Sequence, residues 1–292
     1  MTRVIFSHIA LFTTNMIYAL NYIVAKDVMP DYIQPKAFIL IRVCGAAIIF
    51  FIIHAFFIRE KLNNKDLVYI SICALFGVVI NMLCFFEGLS ITNPINASLI
   101  MITTPLIVHA ISCLFLREER TYKKFFGVLL GLIGAALLIT NGKFNLKLNN
   151  MGDILVFLNA TSYAIYLLLI KSMMKKYQPI TVLKSLFFIG FLIILPIGYP
   201  EFLEIKFTIL PTDIIYKVCF VVLCTTCLAY FLNIYALSNL QASTVAFYIY
   251  LQPLLATVFS IILGKDFLTS IKLLSAGLIF MGVYFVLKRK SI

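Results

Sequence analysis

Charged residues are scarce in this sequence of 292 residues: Asp, Glu, Lys and Arg make up only 12% of it, against roughly 25% in an ordinary soluble domain. Hydrophobic residues make up 62%, and the mean hydropathy is +1.04. Soluble domains could not bury this much apolar surface, so the composition excludes a globular cytosolic enzyme, and it equally excludes a disordered chain. It indicates an all-α polytopic membrane protein.

Signatures of metal and disulfide chemistry are also missing. The seven cysteines all fall inside apolar runs, which argues against a secreted disulfide scaffold. Cys224 and Cys227 have redox-like spacing, but no second pair or histidine cluster accompanies them, so we interpret them as packing residues. His8, His54 and His109 are scattered and lack the spacing of a metal site. We therefore expect no metal and no cofactor.

The chain shows no nucleotide or nucleic-acid motif. Gly127, Gly131 and Gly134 are not followed by the Lys-Ser/Thr pair of a phosphate loop, and we attribute them to close helix packing. The 24 basic residues exceed the 12 acidic ones, but they lie in short gaps between apolar runs. Anionic lipid and the positive-inside rule explain this placement. We expect membrane lipid as a partner and no nucleic acid.

Ten apolar segments approach the roughly 20 residues that a helix needs to cross a hydrocarbon core of about 30 Å. They are 5–25, 37–58, 67–88, 95–116, 125–141, 152–171, 182–199, 213–237, 242–263 and 271–287. The gaps are too short for a soluble domain. The first segment carries Asn15 and Asn21 and lacks a small-x-small cleavage site, so we expect it to be retained. The sequence predicts ten transmembrane helices.

With ten spans, both chain ends lie on one face. That face carries about twice as many Lys and Arg residues as the other. The positive-inside rule then predicts that both termini are cytoplasmic.

The chain repeats itself at an offset of 145 to 148 residues. The segment Tyr18–Lys26 matches Tyr163–Lys171. Identities that recur in register are Leu89/Leu237, Ser90/Ser238, Pro105/Pro253, Leu106/Leu254, Ser112/Ser260, Thr121/Thr269, Lys124/Lys272 and Gly134/Gly282. Each copy, 1–145 and 146–292, holds five spans. Because five is odd, the second copy enters the membrane reversed, which gives the inverted repeat of many secondary transporters.

Several short motifs occur in the same order in both copies. In the first they are Asn96-Ala97-Ser98, Thr103-Thr104-Pro105, Leu116-Arg117-Glu118 and Gly127/Gly131/Gly134; in the second, Gln241-Ala242-Ser243-Thr244, Gln252-Pro253, Gly264-Lys265-Asp266 and Gly277/Gly282. This set resembles the EamA-type repeat of the drug/metabolite transporter superfamily, and Arg42 resembles an arginine often found in the second span. The resemblance implies a ten-helix carrier for small organic solutes, often an exporter of amino acids or related metabolites. It also implies a bacterial cytoplasmic (inner) membrane protein.

Neutral amides, hydroxyls and tyrosines share helix faces in several spans. In hydrocarbon an unpartnered polar group costs several kcal/mol, so such faces usually turn toward a cavity or a neighbouring helix. The cavity candidates are Asn15, Tyr18, Asn21, Thr103, Tyr163, Tyr166, Tyr230, Asn233, Tyr248 and Gln252. A cavity lined in this way suits a small amphipathic or zwitterionic solute. The alternative is hydrogen bonding between helices.

Four further residues are candidates for coupling or gating. Pro105 and Pro253 lie at matched places inside spans, where each forms a static kink or a paired flexing point. Glu87 is an intramembrane carboxylate that either carries a proton or reaches the interface. Arg42 either binds a solute carboxylate or pairs with an interfacial acid.

Alternating access by a gradient-driven carrier is the favoured mechanism, since no nucleotide site is found. An intramembrane enzyme is disfavoured, because Glu87 is the only clear acid in a span and catalysis needs paired groups. A lipid- or drug-translocating member of the same superfamily is the other alternative. Both halves are present in one chain, so no obligatory protein partner is inferred.

Overall fold

The structure is a computed structural model that describes residues 2–92, 94–115, 122–140, 151–262 and 267–287. All regular elements in these ranges are helical. The helical segments are labelled α1 Thr2–Val28, α2 Pro35–Phe57, α3 Asn64–Ile91, α4 (segments Pro94–Met101 and Thr104–Phe115), α5 Tyr122–Thr140, α6 Met151–Met173, α7 Pro179–Leu203, α8 Thr212–Asn239, α9 (Ala242–Phe247, Tyr248–Tyr250 and Leu251–Ile262) and α10 Ser270–Leu287. A short 3₁₀ helix, Phe207–Ile209, lies between α7 and α8. Each of the ten predicted apolar segments overlaps one of the helices α1 to α10.

Length and composition make eight of the described helices able to cross a membrane, namely all except α4 and α10. Those two contain shorter apolar helices, Asn96–Ser112 and Ser270–Val286. Large apolar side chains remain exposed on the outside of the bundle; Phe56 and Phe57, for example, are 80% and 82% exposed. Such a surface is stable when the solvent is lipid, so this is an integral membrane protein.

Four helices depart from regular α geometry, in two matched pairs. Residues Leu75–Ile80 of α3 and Val221–Leu228 of α8 are π-helical. The interruptions of α4 and α9 precede prolines. A proline inside a helix lacks an N–H and clashes with the carbonyl four residues earlier. In α4 the helix therefore restarts one residue before Pro105. In α9 the turn Tyr248–Tyr250 tightens to a 3₁₀ helix ahead of Pro253.

Antiparallel pairs of helices build the bundle. The Oε2 atom of Glu60, just beyond α2, accepts from the backbone N–H of Gln178 at the start of α7. Reciprocally, Oε2 of Glu201 near the end of α7 accepts from the N–H groups of Lys36 and Ala37 in the first turn of α2. Each carboxylate thus satisfies donors that a helix N-terminus leaves free, which also suits the helix dipole.

Glycines bring two further antiparallel pairs into close contact. A β-carbon added at Gly88 of α3 would lie 2.9 Å from the carbonyl oxygen of Gly152 in α6. One added at Gly127 of α5 would lie 2.9 Å from the carbonyl oxygen of Gly282 in α10. Small residues allow this approach, as expected where helices pack within a membrane.

Candidate functional site

A central cavity of about 90 Å³ lies between α1, α2, α3, α4, α6, α8 and α9. Most predicted cavity residues line it: Asn15, Tyr18, Asn21, Tyr163, Tyr230, Asn233 and Gln252. Arg42 lines it as well. The structure thus brings polar side chains from both halves of the chain together around one space.

Three predicted cavity residues lie outside this lining. Thr103 sits at the interruption of α4, and its hydroxyl donates to the Ile100 carbonyl at 2.7 Å. Tyr166 is only 2% exposed and packs on Gly77. The Tyr248 hydroxyl lies 2.8 Å from Nδ1 of His8. These three side chains make contacts within and between helices.

A chain of amides connects α1 to α9 at the cavity wall. Nδ2 of Asn15 donates to the Leu11 carbonyl at 2.7 Å, which leaves Oδ1 of Asn15 as an acceptor. Nε2 of Gln252 donates to that oxygen at 2.9 Å. Because the backbone carbonyl fixes the first amide, it also fixes the orientation of the second.

Side chains satisfy backbone carbonyls in and beside the π-helical turn of α3. A π turn lengthens the hydrogen-bonding ring and leaves carbonyls in need of partners inside a membrane. These bonds run from Ser162 Oγ to the Phe76 carbonyl at 2.6 Å, from Tyr230 Oη to the Gly77 carbonyl at 3.0 Å and from Asn159 Nδ2 to the Asn81 carbonyl at 2.7 Å. The cavity wall formed by α6 and α8 is therefore anchored on α3.

Arg42 places a cation at the cavity, and its side chain is almost fully buried, with the residue 3% exposed. Its Nε donates to Oγ1 of Thr226 at 3.0 Å. The guanidinium carbon lies 4.3 Å from the ring centroid of Phe86, a cation–π distance. Among the described residues, no carboxylate lies within ion-pair distance of Arg42. The interfacial acid suggested as its partner is thus not found there.

Glu87 lies outside the cavity lining, in an ion-pair cluster at the ends of three helices. Nζ of Lys36 lies 3.6 Å from Oε1 of Glu87 and 3.2 Å from Oε1 of Glu201. The Glu87 side chain is 31% exposed. The sequence left two roles open for Glu87, carrying a proton within the membrane or reaching the membrane interface. This arrangement fits the second.

Sequence reasoning missed the contribution of α3, which lines the cavity with Asn81, Met82, Phe85 and Phe86. The only polar residue that α3 adds to the described lining is Asn81, and no regularly spaced polar face marks this helix in the sequence.

A second omission is Asp153 in the first turn of α6, which is 5% exposed and accepts from the Thr92 hydroxyl. Glu87 is therefore not the only acid in a span. The Asn-Pro pair after Thr92 gave no hint of this contact.

The sequence model of the EamA-like transporter family matches residues 5–140 and again 150–288. The chain belongs to this family. It is 25% identical over 261 residues to an uncharacterized transporter of Archaeoglobus fulgidus, covering 89% of this chain and 91% of that relative. It is 23% identical over 230 residues to the uncharacterized transporter YyaM of Bacillus subtilis, covering 77% and 75%.

The fold of this EamA-family protein is shared with a solved crystal structure. The two superpose with a TM-score of 0.76 over 96% of each chain, although only 14% of the residues are identical. At this identity the likeness concerns the fold alone.

Proposed function

We propose that this EamA-family protein is a secondary transporter that moves small organic solutes across the membrane by alternating access. The solute binds in the central cavity, where the two halves of the chain meet. The single observation that carries the proposal is the polar lining itself: side chains from α1, α2, α6, α8 and α9 converge on one buried space in a protein whose outer surface is apolar.

The proposed architecture is ten membrane-spanning helices in two inverted repeats, 1–145 and 146–292. The antiparallel pairing of α2 with α7, α3 with α6 and α5 with α10 supports it. If the second repeat enters the membrane reversed, corresponding helices of the two repeats must run in opposite directions. For α2 with α7 and α5 with α10, the pairs are between corresponding helices, which pack directly against each other.

Two lysines at matched positions support the same architecture. Nζ of Lys26 near the end of α1 donates to the carbonyls of Leu89 and Ser90 at the end of α3, at 3.0 and 3.1 Å. Nζ of Lys171 near the end of α6 donates to the carbonyls of Leu237 and Leu240 at the end of α8. Cations at helix C-termini satisfy free carbonyls and the helix dipole, so both repeats use the same device.

A reciprocal glycine contact adds a third supporting feature. A β-carbon at Gly45 of α2 would lie 2.6 Å from Cγ1 of Val222 in the π-helical turn of α8. One at Gly190 of α7, 145 positions later, would lie 2.7 Å from Cγ1 of Val78 in the π-helical turn of α3. Each repeat thus packs its second helix on the third helix of the other. Rocking of one half against the other would pivot on these contacts.

The excess of basic residues on one face supports an orientation in the membrane, and the family resemblance supports the cellular membrane and the direction of transport. Both termini face the cytoplasm of a bacterium, the protein lies in the cytoplasmic membrane, and transport runs outward. Pro105 and Pro253 serve as paired flexing points beside the cavity. An enzyme is disfavoured, because the described lining of the cavity contains no acid, histidine or cysteine that could form a catalytic pair.

Reconstitution in liposomes tests the proposal. We expect saturable flux of a small organic solute that depends on the protein and can be driven by a gradient of solute, proton or sodium. A matched control is a variant with Asn15 and Asn233 both changed to Leu, which replaces two polar side chains of the cavity lining with apolar ones and should lower the flux. No protein-dependent flux across a broad panel of labelled metabolites would refute the carrier function.

A further inference from the structure

A second cavity, of about 360 Å³, lies between α1, α9 and α10, and we call it the lateral groove. Apart from one tyrosine, Tyr248, its described lining consists of phenylalanine, leucine and valine side chains. The Tyr248 hydroxyl is the only polar side-chain atom in that lining, and it already bonds with Nδ1 of His8 at 2.8 Å. The groove therefore offers a ligand apolar contact and no charge.

The lateral groove opens outward, on the surface that faces lipid. Its floor is formed by Phe247 and Leu251, which are buried, whereas Phe12, Val258 and Phe280 stand at its rim and are exposed. Because the outer surface of this membrane protein is apolar, the rim meets acyl chains. The central cavity, in contrast, is lined by polar side chains.

The position of the groove along its helices places it near the middle of the membrane. Phe12 lies ten residues after the start of α1, and Leu251 lies nine residues after the start of α9. At 1.5 Å per residue these distances are about 13–15 Å, or about half of a hydrocarbon core of about 30 Å. Water and lipid headgroups do not reach this depth, so a ligand there is a hydrocarbon.

The dimensions of the groove match one linear chain. It follows α9 from Phe247 to Val258, a length of about 17 Å when the 3₁₀ turn is included. Spread over that length, the volume corresponds to a mean width of about 5 Å. Apolar carbon atoms make contact at about 3.5–4.0 Å, so the groove has room for one hydrocarbon chain and not for two side by side.

Helix α9 separates the lateral groove from the central cavity. Ile249 and Gln252 line the central cavity, whereas Leu251 and Leu255 line the groove. The helix is weakened at this place, because Pro253 removes a backbone hydrogen bond and the 3₁₀ turn before it has poorer hydrogen-bond geometry. A ligand in the groove would therefore pack on the back of a cavity wall that has little support of its own.

We infer that the lateral groove binds one acyl chain of a bilayer phospholipid and that the bound chain supports α9 from the side opposite the central cavity. The inference goes beyond the proposed function and does not depend on which solute the protein carries. An empty groove would forfeit the dispersion contacts of its lining, and an acyl chain supplies them. The bilayer itself provides such chains at high concentration.

Tryptophan fluorescence tests the site, because the chain contains no tryptophan of its own. Emission is measured in bilayers in which a growing fraction of the phospholipid carries bromine atoms near the ends of its acyl chains, where they quench tryptophan on contact. Tyr248→Trp places the reporter at the groove, and its indole N–H can still donate to His8. The controls are Leu192→Trp, exposed in the middle of α7, and Phe187→Trp, fully buried in the same helix.

We expect the emission of Tyr248→Trp to fall in direct proportion to the brominated fraction, because one chain at a time occupies the groove. At half bromination, the part of the emission that full bromination removes should fall about twofold. Several exchanging lipids touch Leu192→Trp, so its emission should fall about fourfold or more at the same fraction. Phe187→Trp should not respond.

A filled groove supplies the second measurement. Leu255→Phe combined with Val258→Phe, added to Tyr248→Trp, occupies the groove with protein atoms and should remove most of the quenching. Leu192→Phe, an aromatic substitution on an exposed face of α7, should leave the quenching unchanged. If the filled variant does not fold, the slopes of Tyr248→Trp and of Phe12→Trp at the rim decide the matter.

Melting temperatures test the support of α9. A ligand that binds the folded state stabilises it by mass action. Removal of lipid by detergent should therefore lower the melting temperature of the wild type more than that of the protein with Leu255→Phe and Val258→Phe. Equal losses in the two proteins would contradict the support of α9 by a bound chain.

Three results would overturn the site itself. Emission of Tyr248→Trp that resists complete bromination would show that the groove is closed or that a second copy of the chain covers it. Quenching as steep as that of Leu192→Trp would make the groove an ordinary lipid-facing surface. Quenching that persists in full after the groove is filled would place the quenching lipid elsewhere.

Discussion

Gln252 of α9 donates its side-chain N–H to Oδ1 of Asn15 of α1 at 2.9 Å, joining the two halves of the chain at the cavity wall. Both residues are buried, with exposures of 7% and 4%. The pair is therefore a direct polar link between helices that are 237 residues apart in sequence. Under the proposed function, a solute in the cavity would meet these amides already oriented.

We expect the coupling energy between Asn15 and Gln252 to be about 0.6 kcal/mol and at most about 1.7 kcal/mol, the range for hydrogen bonds between membrane helices. The measurement is a double-mutant cycle with Asn15→Ala and Gln252→Ala, using the free energy of unfolding in bicelles. Asn15→Ala combined with Lys65→Ala, a change at an exposed position outside the described cavity lining, supplies the reference of zero coupling. A coupling energy of zero between Asn15 and Gln252 would contradict this hydrogen bond.

Gly77 should tolerate no side chain, whereas Gly277 should accept one. A β-carbon at Gly77 would lie 2.2 Å from Cδ2 of Tyr166, which is buried and cannot move aside, while one at Gly277 meets nothing within 4 Å. We expect Gly77→Ala to destabilise the protein by about 1–3 kcal/mol through overpacking. Gly277→Ala should stabilise it by about 0.5–1 kcal/mol through helix propensity. Thermal unfolding of the two purified variants checks both signs, and equal melting temperatures would contradict this packing.

The connections α1–α2 and α6–α7 should lie on opposite sides of the membrane if the repeats are inverted. Asp31 and Lys175 occupy nearly equivalent, exposed positions in these connections. In a cysteine-free background, a membrane-impermeant maleimide should label Asp31→Cys in intact cells. It should label Lys175→Cys only after permeabilisation. Labelling of both from the same side would contradict the inverted architecture.

Glu87→Gln should leave the pH dependence of transport unchanged. Glu87 is partly exposed and pairs with Lys36 outside the cavity. We therefore expect its ion pair to contribute no more than about 1 kcal/mol to the free energy of any state in the transport cycle, as exposed ion pairs do. The transport rate should then change by no more than about fivefold. Flux measured across a pH series in proteoliposomes gives the result. A profile that shifts or flattens would instead make Glu87 a proton-coupling residue.

Much of the fold could be predicted because the membrane sets the length of a helix. Apolar runs with charged gaps indicate where each helix begins and ends, and each of the ten runs overlaps a helix of the structure. The faces of α1, α6 and α8 could also be predicted, since amides and tyrosines recur there at regular helical spacing. These side chains meet at the cavity.

Of the three predicted cavity residues that lie outside the lining, Tyr166 lies in the regular helix α6 and packs on Gly77, whereas Thr103 and Tyr248 lie where helix geometry changes. Tyr248 and Gln252 share a face only if the helix between them is regular. The 3₁₀ turn over Tyr248–Tyr250 advances each residue by about 120° instead of about 100° and turns Tyr248 toward His8. Thr103 sits in a gap between helical segments. A pattern that assumes one constant period cannot anticipate such local changes.

Because of their π-helical turns, α3 and α8 do not tolerate a change in the number of residues they contain. Each turn holds an extra residue, which rotates the cavity side chains beyond it, including Asn81 and Asn233, by about 100° relative to an uninterrupted α-helix. Deleting a single codon there would rewind the turn to ordinary α-helix and swing the remainder of the helix by about 100°. The amides would then face hydrocarbon and the apolar flank would face the solute. A one-residue deletion in the middle of either helix should therefore abolish transport, even though the hydropathy profile of the chain would hardly change.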